Sequence, residues 1–250
     1  MPMTMTMTMT MTMTPVETEV NFPTPSPEQI EGFATRGWIA VEDALPHAVL
    51  DDLAVRADRI RADKLGLDWS MRDGVRSERP EDQVFQSMLE LDWLDWTDSD
   101  FHRWTLSFAE ALMQAPLALW YDQLLDKPPR VGAPTFWHQD GGLMGDGDGA
   151  RLISCWMPLE SVDEDSGCMH FLDGGHRDGT LLHDVVQSDH SCGRGPCEVD
   201  PARTISVPLA RGGVTFHHGL MPHMTRANRS DRWRQVLIQR FFVGKPPGAA

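Results

Sequence analysis

Apolar positions along the chain change their spacing near residue 115. Before it, Ile30 with Phe33, then Leu50, Leu53, Ala57 and Ile60, then Phe101, Trp104, Phe108 and Leu112 recur at intervals of three and four. That spacing gives a helix one apolar side. The first helix carries its own boundary signals: Ser26 can cap it, Pro27 suits the first helical position, Gln29 stands where a capping box needs it, and Gly37 can end it. Trp38-Ile39-Ala40-Val41 then reads as a strand, the second helix follows Pro46, and the third is expected to begin near Thr97-Asp98. Between 64 and 100 the pattern is irregular and charged, and Trp69, Trp93 and Trp96 are expected to cover the core, with a pocket mouth as the alternative.

Beyond the third helix the runs are short, apolar or alternating, and separated by Gly, Pro, Asp and Asn. They fall at 117–127, 151–159, 168–172, 204–209, 213–217 and 233–243. Strands in series without intervening helices predict an antiparallel sandwich or barrel. The expected fold is therefore mainly β with flanking helices, the helices first and the chemistry in the β part.

Composition narrows the picture. The 250 residues suffice for one large core, and a single domain over 25–246 is expected. Residues 1–24, a Met-Thr alternation and a Pro-rich leader, are expected to be disordered. Charges of 22 Lys+Arg against 37 Asp+Glu give 22 − 37 = −15, which disfavours nucleic acid as a partner. No apolar run approaches a membrane span and no secretory pattern stands out, so a cytoplasmic monomer or weak homodimer acting on a small molecule is expected. Cysteines at 155, 168, 192 and 197 read as reduced thiols, although Cys192 and Cys197 flank a Gly/Pro loop across which they can pair.

The candidate chemistry begins at Thr135-Phe136-Trp137-His138-Gln139-Asp140. In a strand His138 and Asp140 project to one face, which makes two thirds of a two-histidine, one-carboxylate site of the kind used for non-haem Fe(II). The third ligand has to come from His170, His176, His183, His190, His217, His218 or His223. Adjacent His217 and His218 face opposite ways in a strand, so at most one points inward. His223 has the better context, because the turn formers of 228–231 lie between two strand-like ends. A hairpin turning at the Asn228–Arg229 bond would set His223 opposite Arg234, with Thr225 on the same face. Three protein ligands on an octahedral iron leave two positions for the chelating end of 2-oxoglutarate and one for O2. A planar arginine and a nearby hydroxyl, here Arg234 and Thr225, then suit its far carboxylate.

These residues resemble the phytanoyl-CoA dioxygenase (PhyH) family of Fe(II)/2-oxoglutarate oxygenases. Its iron motif maps to His138, Asp140 and His223, and its downstream signature to His223, Thr225, Asn228, Ser230 and Arg234. Trp156-Met157-Pro158-Leu159, Ser166-Gly167 and Gly174-Gly175-His176-Arg177 are similar to its central strand and turn, with Gly175 where Ser is usual. The resemblance implies a double-stranded β-helix, a cupin-like jelly-roll buttressed by N-terminal helices. It also implies an enzyme that hydroxylates an unactivated C–H bond of a small organic molecule, with release of succinate and CO2. Desaturation, cyclisation and epimerisation use the same chemistry, while the carboxylate of Asp140 argues against halogenation. Gln123 and Lys127 share a strand face from which they reach co-substrate or substrate, with a solvent-exposed strand end as the other reading of Lys127, and Trp156 is expected to pack near the site. The glycine-rich stretch 141–149 is expected to form a mobile lid. No cluster of Lys and Arg suits coenzyme A phosphates, so the substrate in the family's name is not carried over; a secondary-metabolite intermediate or a modified amino acid is the expected kind of substrate. The rival is a cupin-like metal-binding protein that does not use 2-oxoglutarate and has no need of Arg234 or Thr225.

Overall fold

In the computed structural model, residues 21–63, 67–68, 71–72, 75–76, 85–89, 99–142, 144–181 and 199–246 are described. Cys192, Cys197, His183, His190, Trp69, Trp93, Trp96 and the Met-Thr tract lie outside them.

Helix α1 (Pro27–Arg36) begins and ends where its residues dictate. The Ser26 hydroxyl accepts from Gln29 N at 3.3 Å while Gln29 Oε1 accepts from Ser26 N at 2.9 Å, and Gly37 closes the helix at φ +80°. Strand β1 (Trp38–Val41) and helix α2 (His47–Ala62) follow, with Leu50, Leu53, Ala57 and Ile60 on the buried side of α2. Helix α3 spans Asp100–Met113. It starts later than the expected Thr97-Asp98 because Ser99 is the residue whose side chain accepts from the third backbone N–H, that of His102. The stretch between α2 and α3 contains short strands β2 (Leu67–Asp68), β3 (Met71–Arg72), β4 (Val75–Arg76) and β5 (Phe85–Leu89), which its irregular pattern did not suggest.

The β part comprises β6 (Leu117–Lys127), β7 (Thr135–His138), the short helix α4 (Gly145–Gly149), β8 (Leu152–Pro158), β9 (Met169–Leu172), β10 (Thr204–Val207), β11 (Val214–His218), β12 (His223–Thr225) and β13 (Arg234–Val243). A seven-stranded sheet runs β1-β11-β8-β13-β6-β5-β2 and a four-stranded sheet runs β10-β9-β12-β7, with antiparallel pairing throughout. The fold is a jelly-roll with helices on one side of the large sheet.

Side-chain alternation sorts the large sheet into two faces. Ile153, Cys155, Met157, Val214, Phe216 and Leu237 join the helices in one buried cluster, where Phe108 of α3 stacks on Phe216 with ring centroids 4.8 Å apart. On the opposite face Trp38, Trp156, Val236 and Ile238 pack against Met169, Phe171, Leu172 and Val207 of the small sheet. Strand β8 is buried along its whole length because both of its faces are covered.

The expected hairpin is not formed. Strand β12 pairs β7 and β9 in the small sheet, while β13 pairs β6 and β8 in the large one, so residues 226–233 carry the chain from one sheet to the other. His223 faces His138 and Phe171, and Arg234 faces Lys127. Asn228 causes the difference. Its backbone bridges to Gly132 instead of to a strand partner beyond its own turn.

Candidate metal and anion site

His138 and His223 come together because they are register partners on neighbouring strands, and their ring centroids lie 4.2 Å apart. Asp140 follows two residues after His138. One ligand atom from each of His138, Asp140 and His223 lies within 4.8 Å of the others, so the three can share one ion. Asp140 Oδ1 is 3.7 Å from His138 Nε2 and 3.9 Å from His223 Nε2.

Both rings are oriented from behind. His138 Nδ1 lies 2.8 Å from the Phe136 carbonyl, and His223 Nδ1 lies 2.8 Å from the Met221 carbonyl. A carbonyl only accepts, so each Nδ1 carries the proton and each Nε2 keeps its lone pair toward Asp140. Burial holds the His223 imidazole well below the usual histidine range, and the neighbouring His138 and His217 rings add to it, so the ring stays neutral and able to ligate.

Three residues fix Asp140; Ser154 and Arg240 escaped the sequence reading, which weighed His217 only as a third metal ligand. Its Oδ2 accepts from the Ser154 hydroxyl at 2.6 Å and from His217 Nε2 at 3.2 Å, and its Oδ1 accepts from Arg240 Nη2 at 3.1 Å. His217, Ser154 and Arg240 are register partners, one from each of β11, β8 and β13, and so form a polar row across the inner face. Gln123, two residues along β6 from that row, accepts from Arg240 Nη1 at 2.7 Å, which engages the side chain expected to reach co-substrate or substrate. Burial opposes ionisation of Asp140, but the Arg240 guanidinium and the imidazole hydrogen bonds outweigh it and hold the carboxyl well below the usual range. Parity alone offered a signal for the missed residues. Ser154 shares a strand face with Trp156, and Arg240 shares one with Arg234.

The other end of the inner face is cationic. Lys127 has no exposed surface, which excludes the solvent-exposed strand end, and its Nζ donates to Thr225 Oγ1 at 2.6 Å and to the Arg226 carbonyl at 3.0 Å. Burial and the adjacent Arg234 hold its ammonium pKa well below the usual lysine value. Arg234 is 2% exposed, and none of its three side-chain nitrogens has a hydrogen-bond partner. Burial pushes its pKa down to about 10. Trp156 is buried alongside, with the Arg234 guanidinium carbon 5.7 Å from its ring centroid. A buried guanidinium with five unused donors is costly unless an anion meets it, and a carboxylate has the matching planar geometry.

The stretch after the motif, expected to form a lid, is anchored at both ends. Gly141 and Gly149 are points of close approach. A Cβ on Gly141 would come within 2.5 Å of the Gly149 backbone, and one on Gly149 within 2.6 Å of Leu220. Gly141 N also donates to the Gly219 carbonyl at 2.8 Å. Gln139, on the opposite side of the motif from its neighbours, donates to the Gly179 and Leu220 carbonyls and accepts from Leu181 N, so it ties the motif both to residues 179–181 and to the chain just ahead of His223.

A jelly-roll with two imidazoles and a carboxylate converging at one pole, and an unanswered guanidinium at the other, defines a class of protein built to hold one cation and one anion on a shared inner face. The model of the phytanoyl-CoA dioxygenase (PhyH) family matches residues 33–236, and the chain belongs to that family. It is similar to phytanoyl-CoA dioxygenase domain-containing protein 1 of Mus musculus, with 29% identity over 115 residues that cover 44% of this chain and 40% of that protein. The match thus spans about two fifths of the relative's length. Among solved structures it is similar to EvdO2 from Micromonospora carbonacea var. aurantiaca, crystallised with 2-oxoglutarate, at 26% identity and a TM-score of 0.72 over 91% of this chain and 97% of that one. The epimerase SnoN, crystallised with Fe3+, alpha ketoglutarate and nogalamycin RO, shares the fold at 21% identity and a TM-score of 0.66, covering 90% of this chain and 93% of that one. Among the described residues no helix is long and apolar enough to cross a membrane.

Proposed function

We propose that the chain is an Fe(II)- and 2-oxoglutarate-dependent dioxygenase that hydroxylates an unactivated C–H bond of a small organic molecule, within one domain over 25–246. The observation that carries this reading is the pairing of an ion-sized ligand triad with a buried, partnerless guanidinium on the same inner face. The rival metal-binding protein without 2-oxoglutarate leaves that guanidinium unexplained. Bound Fe(II), with 2-oxoglutarate and O2, supplies oxidative decarboxylation to succinate and CO2, with the second oxygen atom available to the substrate.

The residues divide the work. His138, Asp140 and His223 would hold the metal through the two imidazole Nε2 atoms and the Asp140 carboxylate. Arg234 would meet the far carboxylate of 2-oxoglutarate with its planar N–H donors, and Thr225 of β12 in the small sheet and Lys127 of β6 would add a hydroxyl and an ammonium. Trp156 walls the co-substrate and excludes water around it. Ser154, His217 and Arg240, the last braced by Gln123, keep Asp140 ionised and aimed.

Purified protein given Fe(II), 2-oxoglutarate, ascorbate and O2 should release succinate slowly without substrate and faster with a substrate from a panel of secondary-metabolite intermediates. A product heavier by one oxygen atom marks hydroxylation. A product of unchanged mass and inverted configuration marks epimerisation, the alternative because the same fold carries it in SnoN. No succinate from folded, metal-loaded protein would sink the reading.

A further inference from the structure

Asn228 has no exposed surface, and every atom of its side-chain amide is engaged. Its nitrogen donates to the carbonyls of Lys127 at 3.0 Å, Pro128 at 3.1 Å and Arg232 at 2.8 Å. Its oxygen accepts from the Ser230 backbone N–H at 3.1 Å and the Ser230 hydroxyl at 2.6 Å. Two N–H donors shared among three carbonyls, and two bonds to one oxygen, exhaust what an amide offers. Three passages of chain meet on this side chain: the end of β6, the turn after it, and the approach to β13.

The location matters because of what lies beside it. Arg234 and Lys127 are the terminal pair of the β13–β6 ladder, and no further pair continues the register beyond them. Two cations directly opposed at the open end of a ladder repel each other, and strand ends are where pairing frays first. Asn228 holds the carbonyl of Lys127 itself and that of Arg232, two residues ahead of Arg234. The segment leading to it presents Thr225 Oγ1 and the Arg226 carbonyl to Lys127 Nζ. Gly132 lets the turn close on this point, since a Cβ there would come within 2.7 Å of Lys127 Cβ and 3.0 Å of Asn228 Cβ.

We propose that Asn228 is a positioning residue that sets the spacing of Lys127 and Arg234, and through it the affinity for the far carboxylate of 2-oxoglutarate, without touching the co-substrate. The inference rests on the co-substrate reading above. Asn228 does for the two cations what the next pair of a longer ladder would do.

The test compares Asn228→Ala and Ser230→Ala with wild type in anaerobic Fe(II) titrations with two keto acids: 2-oxoglutarate and 2-oxopentanoate, which has a methyl group in place of the far carboxylate. In Asn228→Ala the dissociation constant for 2-oxoglutarate rises about tenfold to a hundredfold. That for 2-oxopentanoate stays within about twofold. In turnover the KM for 2-oxoglutarate rises while kcat holds. Ser230→Ala, which removes the hydroxyl that orients the amide and also reaches the Arg232 carbonyl at 3.3 Å, shifts 2-oxoglutarate in the same direction by less, and it carries the test if the thermal melt of Asn228→Ala shows a chain that does not fold. Equal weakening of both keto acids in the folded variants, or no weakening of either, overturns the inference and leaves the co-substrate reading standing. Wild-type protein that binds Fe(II) but neither keto acid overturns both.

Discussion

The two poles of the inner face are built on opposite principles. At the metal pole the three candidate ligands are satisfied in advance: the Nδ1 protons of His138 and His223 each have a carbonyl, and Asp140 accepts three side-chain hydrogen bonds. At the cation pole Arg234 is buried with nothing to bond, beside a lysine of the same sign. A metal ion needs ligands of fixed tautomer and direction, so orientation is fixed by the fold. An anion needs unanswered donors, so on the proposed reading its place is left energetically open, and an arriving carboxylate would recover the cost.

The sharpest way to break this comparison is to remove one group from each pole. His223→Ala should abolish Fe(II) binding, and with it 2-oxoglutarate chelation, by equilibrium dialysis. Arg234→Met should leave Fe(II) binding unchanged and weaken 2-oxoglutarate by about 3 kcal/mol, on the order of a hundredfold. The same Arg234→Met protein, free of ligand, should be more stable than wild type by about 1–3 kcal/mol in urea denaturation, because a buried unpaired charge is gone. A loss of stability there would mean that the guanidinium is a structural element.

A smaller effect is expected where the metal pole is only supported. Ser154→Ala removes one of three hydrogen bonds to Asp140 and should weaken Fe(II) affinity about tenfold, with little change in 2-oxoglutarate affinity once metal is saturating.

The smallest effect concerns pH. Burial raises Asp126, on the opposite face of β6, from 3.8 to about 7, against the pull of Arg61 and Arg234. The folded state therefore binds more protons than the unfolded state between those values, so this group makes stability fall as pH rises from about 4 to about 7. Asp126→Asn, which keeps an acceptor for Arg61, should gain stability relative to wild type across that window and hold a constant advantage above it. Parallel denaturation curves of the two proteins at pH 4 through 8 would exclude the shift.

Much of this was legible in the chain, and the exceptions share a cause. Local signals were enough for α1, whose cap and end residues are adjacent to it, and for β6, whose alternation spans Leu117–Lys127. The relation of His138 to Asp140 needed only strand periodicity. The hairpin expectation failed because the polar turn at 228–231 reads alike whether it folds a strand back or hands it to a second sheet, and Asn228 answers to Gly132, far away in sequence. Ser154 and Arg240 were missed, and His217 was weighed only as a third metal ligand, for the same reason. Each is an ordinary polar residue in an apolar strand, and only the alignment of three strands makes a row of them beneath Asp140.

The central claim, one cation and one dicarboxylate on a shared face, is tested most directly by anaerobic titration of the protein with Fe(II) and 2-oxoglutarate, followed by visible absorbance. The account predicts a metal-to-ligand charge-transfer band in wild type that is lost in His138→Ala and His223→Ala and shifted to far higher 2-oxoglutarate concentration in Arg234→Met. A folded, metal-loaded wild type with no band, or a band indifferent to Arg234, would contradict it.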